Sequence, residues 1–146
     1  MKSLLLSLCT AACFVHSSVF ADDLESLSGK WMIKKVNDQG QKITQTIEVK
    51  KDKFVFQILN ADDSVVLYAK GDFKLDKLGP FNAARFSNIR AGESSSNLDA
   101  IDDIYTSVYV LDGDSWTLAT NFDKQRDGQK PAADVYRHVE AAKADK

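Results

Sequence analysis

The chain has 146 residues, with 19 lysines and arginines against 21 aspartates and glutamates and a formal net charge of −2 at pH 7. That length suits one domain with a core of its own, and a nearly balanced, interspersed charge argues against nucleic acid or an anionic membrane as the principal partner. Both cysteines, Cys9 and Cys13, lie near the N-terminus, so the rest of the chain holds no thiol for a disulfide framework or a thiolate metal site.

Residues 1–21 open on Met1 and Lys2, run through an apolar stretch from Leu4 to Val15 and close on Val19-Phe20-Ala21. A short basic start, an apolar middle and small residues three and one before a scissile bond are the arrangement of a secretory signal peptide, with cleavage expected after Ala21. The stretch is too short, and too interrupted by Ser3, Ser7, Thr10, His16 and Ser17, to span a bilayer, which takes roughly 20 predominantly apolar residues. Thr10-Ala11-Ala12-Cys13 lacks the leading Leu of a lipoprotein signal. The expected product is exported, periplasmic or secreted, with residues 22–140 as one β domain and 141–146 as a charged, frayed tail. Both cysteines leave with the signal, so core packing must hold the fold unaided.

Asp22 to Ser28 reads as one helical turn with Leu24 and Leu27 on one side, ending at Gly29. The period then changes to two, and eight strand-like runs follow. The first is Lys30 to Val36, closed by Asn37-Asp38-Gln39-Gly40. The second, Lys42 to Lys50, puts Ile43, Ile47 and Val49 on one face, and Lys51-Asp52 turns into the third, Lys53 to Leu59, with Phe54, Phe56 and Ile58 aligned. The fourth, Ser64 to Asp76, carries Val65, Leu67, Ala69, Gly71, Phe73 and Leu75 in register. Gly71 in so long a run predicts a bulge or sharp bend, the device by which small barrels turn corners. The fifth runs from Phe81 to Ile89 and is followed by a loop. Asn97 to Ile104 reads as a short helix, because Leu98, Ile101 and Ile104 recur at helical spacing after a serine cap. Tyr105 to Leu111 and Ser115 to Phe122 flank the hairpin signal Asp112-Gly113-Asp114. After the polar stretch Asp123 to Pro131, Ala133 to Val139 is the eighth strand.

Eight short consecutive strands with tight turns predict an all-β fold: an eight-stranded antiparallel up-and-down barrel, with a short helix before strand six. Closure removes the edges an open sheet would expose. At this strand number the interior is either filled by its own side chains or holds one small ligand.

Gly29-Lys30-Trp31 at the start of the first strand resembles the Gly-x-Trp motif that opens lipocalins and related calycins. Tyr105 to Leu118, with Val110-Leu111-Asp112-Gly113-Asp114-Ser115-Trp116-Thr117-Leu118 at its turn, looks like the late hairpin of small lipocalin-like domains of exported bacterial proteins. Gly71 to Asp76 and Pro131 to Val139 fall in the order that family shows. The chain departs from the family where an Arg-Pro pair is common, since Arg126 and Pro131 stand apart. The resemblance implies that Trp31 plugs the closed end of the barrel with a basic side chain of the last strand across its ring, and Arg137 is the match by general position. Gly29, Trp31 and Arg137 are thus expected to serve the fold.

No catalytic constellation emerges. His138, the one histidine beyond the leader, reads as a surface or edge residue and cannot make a zinc set alone. No Gly-x-Ser-x-Gly elbow or glycine-rich phosphate loop occurs. Asp123, Gln125, Asp127 and Asp134, with Gly128, echo the spacing of a calcium loop, but Lys124, Arg126 and Lys130 offset its charge and its flanks read as strands. Asp99, Asp102, Asp103, Asp112 and Asp114 sit in turn or cap contexts, where aspartate serves the backbone. Neither a metal nor a cofactor is expected. The leading expectation is a non-enzymatic binding module that takes a small, partly apolar ligand among Phe54, Phe56, Leu67 and Phe73 inside the barrel. The alternative is a filled barrel that engages a protein partner, for example a periplasmic protease inhibitor, through its loops and N-terminal segment.

Overall fold

The computed structural model describes residues 18–122 and 130–140. One helix, α1 (Ser18–Leu27), precedes nine strands: β1 (Gly29–Val36), β2 (Lys42–Lys50), β3 (Lys53–Leu59), β4 (Val65–Leu78), β5 (Phe81–Ser94), β6 (Asn97–Ile101), β7 (Tyr105–Asp112), β8 (Ser115–Thr120) and β9 (Ala132–Val139). Neighbouring strands run in the order β4-β3-β2-β1-β9-β8-β7-β5-β6, and β4 also pairs with β5. Every strand but β6 therefore belongs to a closed eight-stranded antiparallel barrel, wound up and down as its sequence spacing predicts. Residues 1–17 of the expected leader, the calcium-like stretch 123–129 and the tail 141–146 lie outside the described residues.

Turn chemistry sets the registers. Between β1 and β2, the Asn37 side-chain carbonyl accepts from the backbone N–H of Gln39 at 3.1 Å and of Gln41 at 2.9 Å, an aspartate-type turn built by the side chain itself. The long β4 bends where the sequence places Gly71. Lys70 pairs with Arg90 but Asp72 with Ser87, so β5 carries one extra residue there, a bulge with Asn88 at φ 49°. A Cβ on Gly71 would stand 2.5 Å from the Ser87 carbonyl oxygen; only glycine lets the bulged backbone come so close. On the outer side Asp72 clasps the bulge, accepting from Asn88 Nδ2 at 2.6 Å and from the Lys53 ammonium. Those two bonds, Lys53's first, hold the Asp72 carboxyl below the usual carboxylate range.

One expected element is corrected. Residues 97–104 hold no helix: Asn97–Ile101 is β6, an antiparallel hairpin partner of an extended β5, with Ile89 opposite Ile101 and Ala91 opposite Asp99. The three-residue recurrence of Leu98, Ile101 and Ile104 fits a helix, but the backbone groups of β5 beyond Ile89 need partners, and β4 on one side and β6 on the other supply them.

The core is graded along the barrel axis. Trp31 is buried and fixes the inward parity; by register Ile47, Phe56 and Ala69 share its side, as do Tyr136 and Trp116. At the end where β1 begins, Trp31 and Trp116 meet edge to face with centroids 5.6 Å apart, and Phe73 stands 6.2 Å from Trp116. Phe86 packs edge-on to Phe54 at 4.9 Å and against Phe73 at 5.4 Å. Offset and edge-to-face contacts of this kind suit the ring quadrupoles. Helix α1 caps this end. Its Leu27 is fully buried, the Leu27 carbonyl accepts from Trp31 Nε1 at 2.9 Å, Asp23 accepts from the Tyr109 hydroxyl at 2.6 Å, and Phe20 and Leu24 pack against the core.

Candidate functional site

The barrel end away from α1 is built differently. Most inward residues near the helix are sealed, with Trp31, Val49, Phe54, Phe73 and Trp116 all at 5% exposure or less, while Phe86 and Leu111 beside them are half-buried. Farther along the same strands Ile33 on β1, Phe56 and Ile58 on β3, Leu67 on β4 and Ala91 on β5 face inward by the same register yet are only half-buried. Solvent reaches these side chains, so they form the less tightly sealed end of the barrel, its mouth, although Ile43 on β2, opposite Lys35, is buried there.

One wall of that mouth is polar. Strands β1 and β9 close the barrel but pair only over Lys30–Met32 against Arg137–Val139. Continuing that register would set Ile33 opposite Tyr136 and Lys35 opposite Asp134. There side chains take over from the backbone: Lys35 Nζ meets Asp134 Oδ2 at 2.7 Å, with the two side chains 32% and 23% exposed. One layer deeper, the Tyr136 hydroxyl donates to Gln45 Oε1 at 3.1 Å. Its ring lies 6.2 Å from Trp116, so Tyr136 is the floor between the sealed aromatic half and the mouth. Burial first, and the Asp134 charge second, push the Tyr136 phenol above its ordinary pKa. No family model, curated protein or solved structure matches the chain. The site is therefore read from its own geometry.

The four expected ligand contacts divide between the two halves. Phe56 and Leu67 stand in the mouth, on adjacent strands with Phe56 opposite Ala69 and Ile58 opposite Leu67. Phe54 and Phe73 lie at 5% and 3% exposure inside the sealed aromatic cluster. Gly29 and Trp31 lie at the end that α1 caps, but Arg137 does not lie across the indole. Arg137 pairs with Met32, the outward neighbour of Trp31, and is exposed. His138 is the residue opposite Trp31, its ring 4.9 Å away and edge-on. The lone histidine is thus a half-buried packing residue rather than a surface one, because parity along β9 turns Tyr136 and His138 inward and Arg137 outward.

Lys35, Gln45, Asp134 and Tyr136 escaped the sequence reading as a group. A signal for two of them was present: Lys35 has the parity of Trp31 and Ile33, and Asp134 that of His138, so each puts a charge where an apolar residue is expected. Barrel closure predicts that the first and last strands pair; what the sequence does not carry is their register, which brings the two charges together.

Two further concavities lie on the outside. One, of about 410 Å³, is lined by Ser87, Asn88 and Ile101 to Ile104, next to the β5 bulge. The other, about 470 Å³, is an apolar groove among Leu78, Gly79, Phe81, Val108, Ala119 and Phe122. Asp112 and Asp114 occupy the β7–β8 turn, where the Asp114 carbonyl accepts from the His138 backbone N–H at 3.0 Å. Among the described residues no group of three or more His, Cys, Asp or Glu is placed to hold a metal ion, and no helix is long and apolar enough to cross a membrane.

Proposed function

We propose that the chain is an exported, lipocalin-like binding module whose open barrel end takes up a small, partly apolar molecule. The observation that carries this reading is that inward Ile33, Phe56, Ile58 and Leu67, at the end away from α1, are only half-buried while the two tryptophans are sealed. A mostly apolar lining with a few placed polar groups, here Lys35, Gln45, Asp134 and Tyr136, is the usual composition of small-molecule sites. Export rests on the leader pattern. Cleavage after Ala21 would fall inside α1, yet Asp23, Leu24 and Leu27, which make most of the capping contacts, lie beyond the cut and stay with the product.

The second reading, a filled barrel that engages a protein, draws on the outer groove and on Phe81, 58% exposed at its rim. It is weakened by α1, which packs onto the barrel end instead of standing free for a partner. The test is mass spectrometry of the protein purified from its native exported fraction beside a Leu67→Arg variant. A near-stoichiometric apolar small molecule that the variant loses is the expected result. Ligand-free wild type, or equal recovery from Leu67→Arg, would overturn the reading.

A further inference from the structure

Among the described residues that face inward at the mouth, Lys35 and Asp134 are a cation and an anion facing each other. Lys35 and Asp134 stand at the position where the β1–β9 ladder would have continued, so their bond spans an otherwise unpaired part of the seam. Both are partly desolvated, with half-buried Ile33 beside them on β1 and buried Tyr136 beside them on β9.

A ligand whose polar end carries a carboxylate would compete with Asp134 for the Lys35 ammonium. Accepting it leaves two carboxylates sharing Lys35 in a partly dry site, and one of them loses its partner. An alkylammonium meets the mirror-image problem at Lys35. Leaving a half-buried charge unpaired costs more than the new contact returns. An uncharged head that both donates and accepts, such as a hydroxyl or primary amide, can donate to the Asp134 carboxylate and accept from a remaining Lys35 N–H without breaking the pair. Its apolar part then lies on Ile33, Phe56, Ile58 and Leu67.

We infer that the Lys35–Asp134 pair makes the mouth selective for uncharged amphiphiles bearing a hydroxyl or amide head, against both fatty-acid anions and alkylammonium ions. This rests on the binding reading above and adds the head-group chemistry to it.

The experiment is calorimetric titration at pH 7 of decan-1-ol, decanoate and decylammonium, one tail with three heads, into the full chain and three variants. Wild type is expected to bind decanol about tenfold or more tighter than either ion. Asp134→Asn, which leaves Lys35 unopposed, is expected to move decanoate to first place, and Lys35→Gln to move decylammonium there. The swap Lys35→Asp with Asp134→Lys keeps the pair neutral and is expected to restore the decanol preference, which separates charge balance from loss of folding. Wild type binding decanoate as tightly as decanol, or an Asp134→Asn variant with the wild-type order, overturns the selectivity while leaving binding intact. Failure of all three probes to bind wild type overturns the binding reading and this inference together.

Discussion

At Gly29 two constraints fall on one residue: φ is +119°, and a Cβ would stand 2.7 Å from His138 Nε2. His138 cannot easily swing aside, since its ring rests on Trp31. Gly29→Ala is therefore expected to destabilise by roughly 1–3 kcal/mol in urea unfolding. Adding His138→Ala should recover only part of the loss, because the backbone strain remains; complete recovery would show that crowding alone makes the position glycine. Gly71 is the complementary case, since its obstacle is the Ser87 carbonyl of the bulge and no rotamer change relieves it. Gly71→Ala should cost a similar roughly 1–3 kcal/mol, and a neutral result would mean the bulge can move. Gly71 was legible as a bend from its place in a long apolar run. The Trp31 partner was not, since deciding between Arg137 and His138 needs a register and a slip of one residue exchanges every face.

Two buried tyrosines give the fold a pH dependence. In the unfolded chain a tyrosine ionises near about pH 10. In the folded chain burial holds both phenols protonated to higher pH, aided for Tyr109 by its hydrogen bond to Asp23 and for Tyr136 by the charge of Asp134. The folded state then binds more protons than the unfolded one above that pH, so stability present below pH 10 is lost as pH rises further. Urea midpoints should fall steeply above pH 10 in wild type and less steeply in a Tyr109→Phe, Tyr136→Phe double variant. Equal slopes would assign the alkaline loss elsewhere.

Among the elements, α1 matters most for what the barrel can hold, because it decides which end is open. Leu27 is fully buried and its carbonyl takes the Trp31 indole N–H. Leu27→Ala is expected to cost about 2–5 kcal/mol and to shift tryptophan emission to the red as water reaches Trp31. A full stability loss without that shift would mean that the helix end stays dry. The seven barrel strands from β1 to β8 were legible because each alternates apolar and polar residues between turn signals, and β2 and β3 carry the bounds their spacing predicts. The stretch from Glu93 to Ile101 was not. It lies beyond the β4–β5 ladder, which ends at Tyr68 and Gly92, with no buried residue in it, so nothing imposes a period of two, and backbone pairing alone makes it a hairpin.

For the molecule as a whole, closure, capping and opening follow from one asymmetry: aromatic residues and a helix at one end, aliphatic residues with a neutral ion pair at the other. The inward parity of Phe56 and Leu67 was legible, while the Lys35–Asp134 contact depends on the register of the first and last strands. The most direct test is methyl NMR of the chain titrated with decan-1-ol. Saturable shifts are expected at Ile33, Ile58 and Leu67, with Leu27, Val49 and Leu75 of the sealed half unmoved. Shifts confined to Leu78 and Val108 of the outer groove, or no saturable shifts at all, would contradict this expectation.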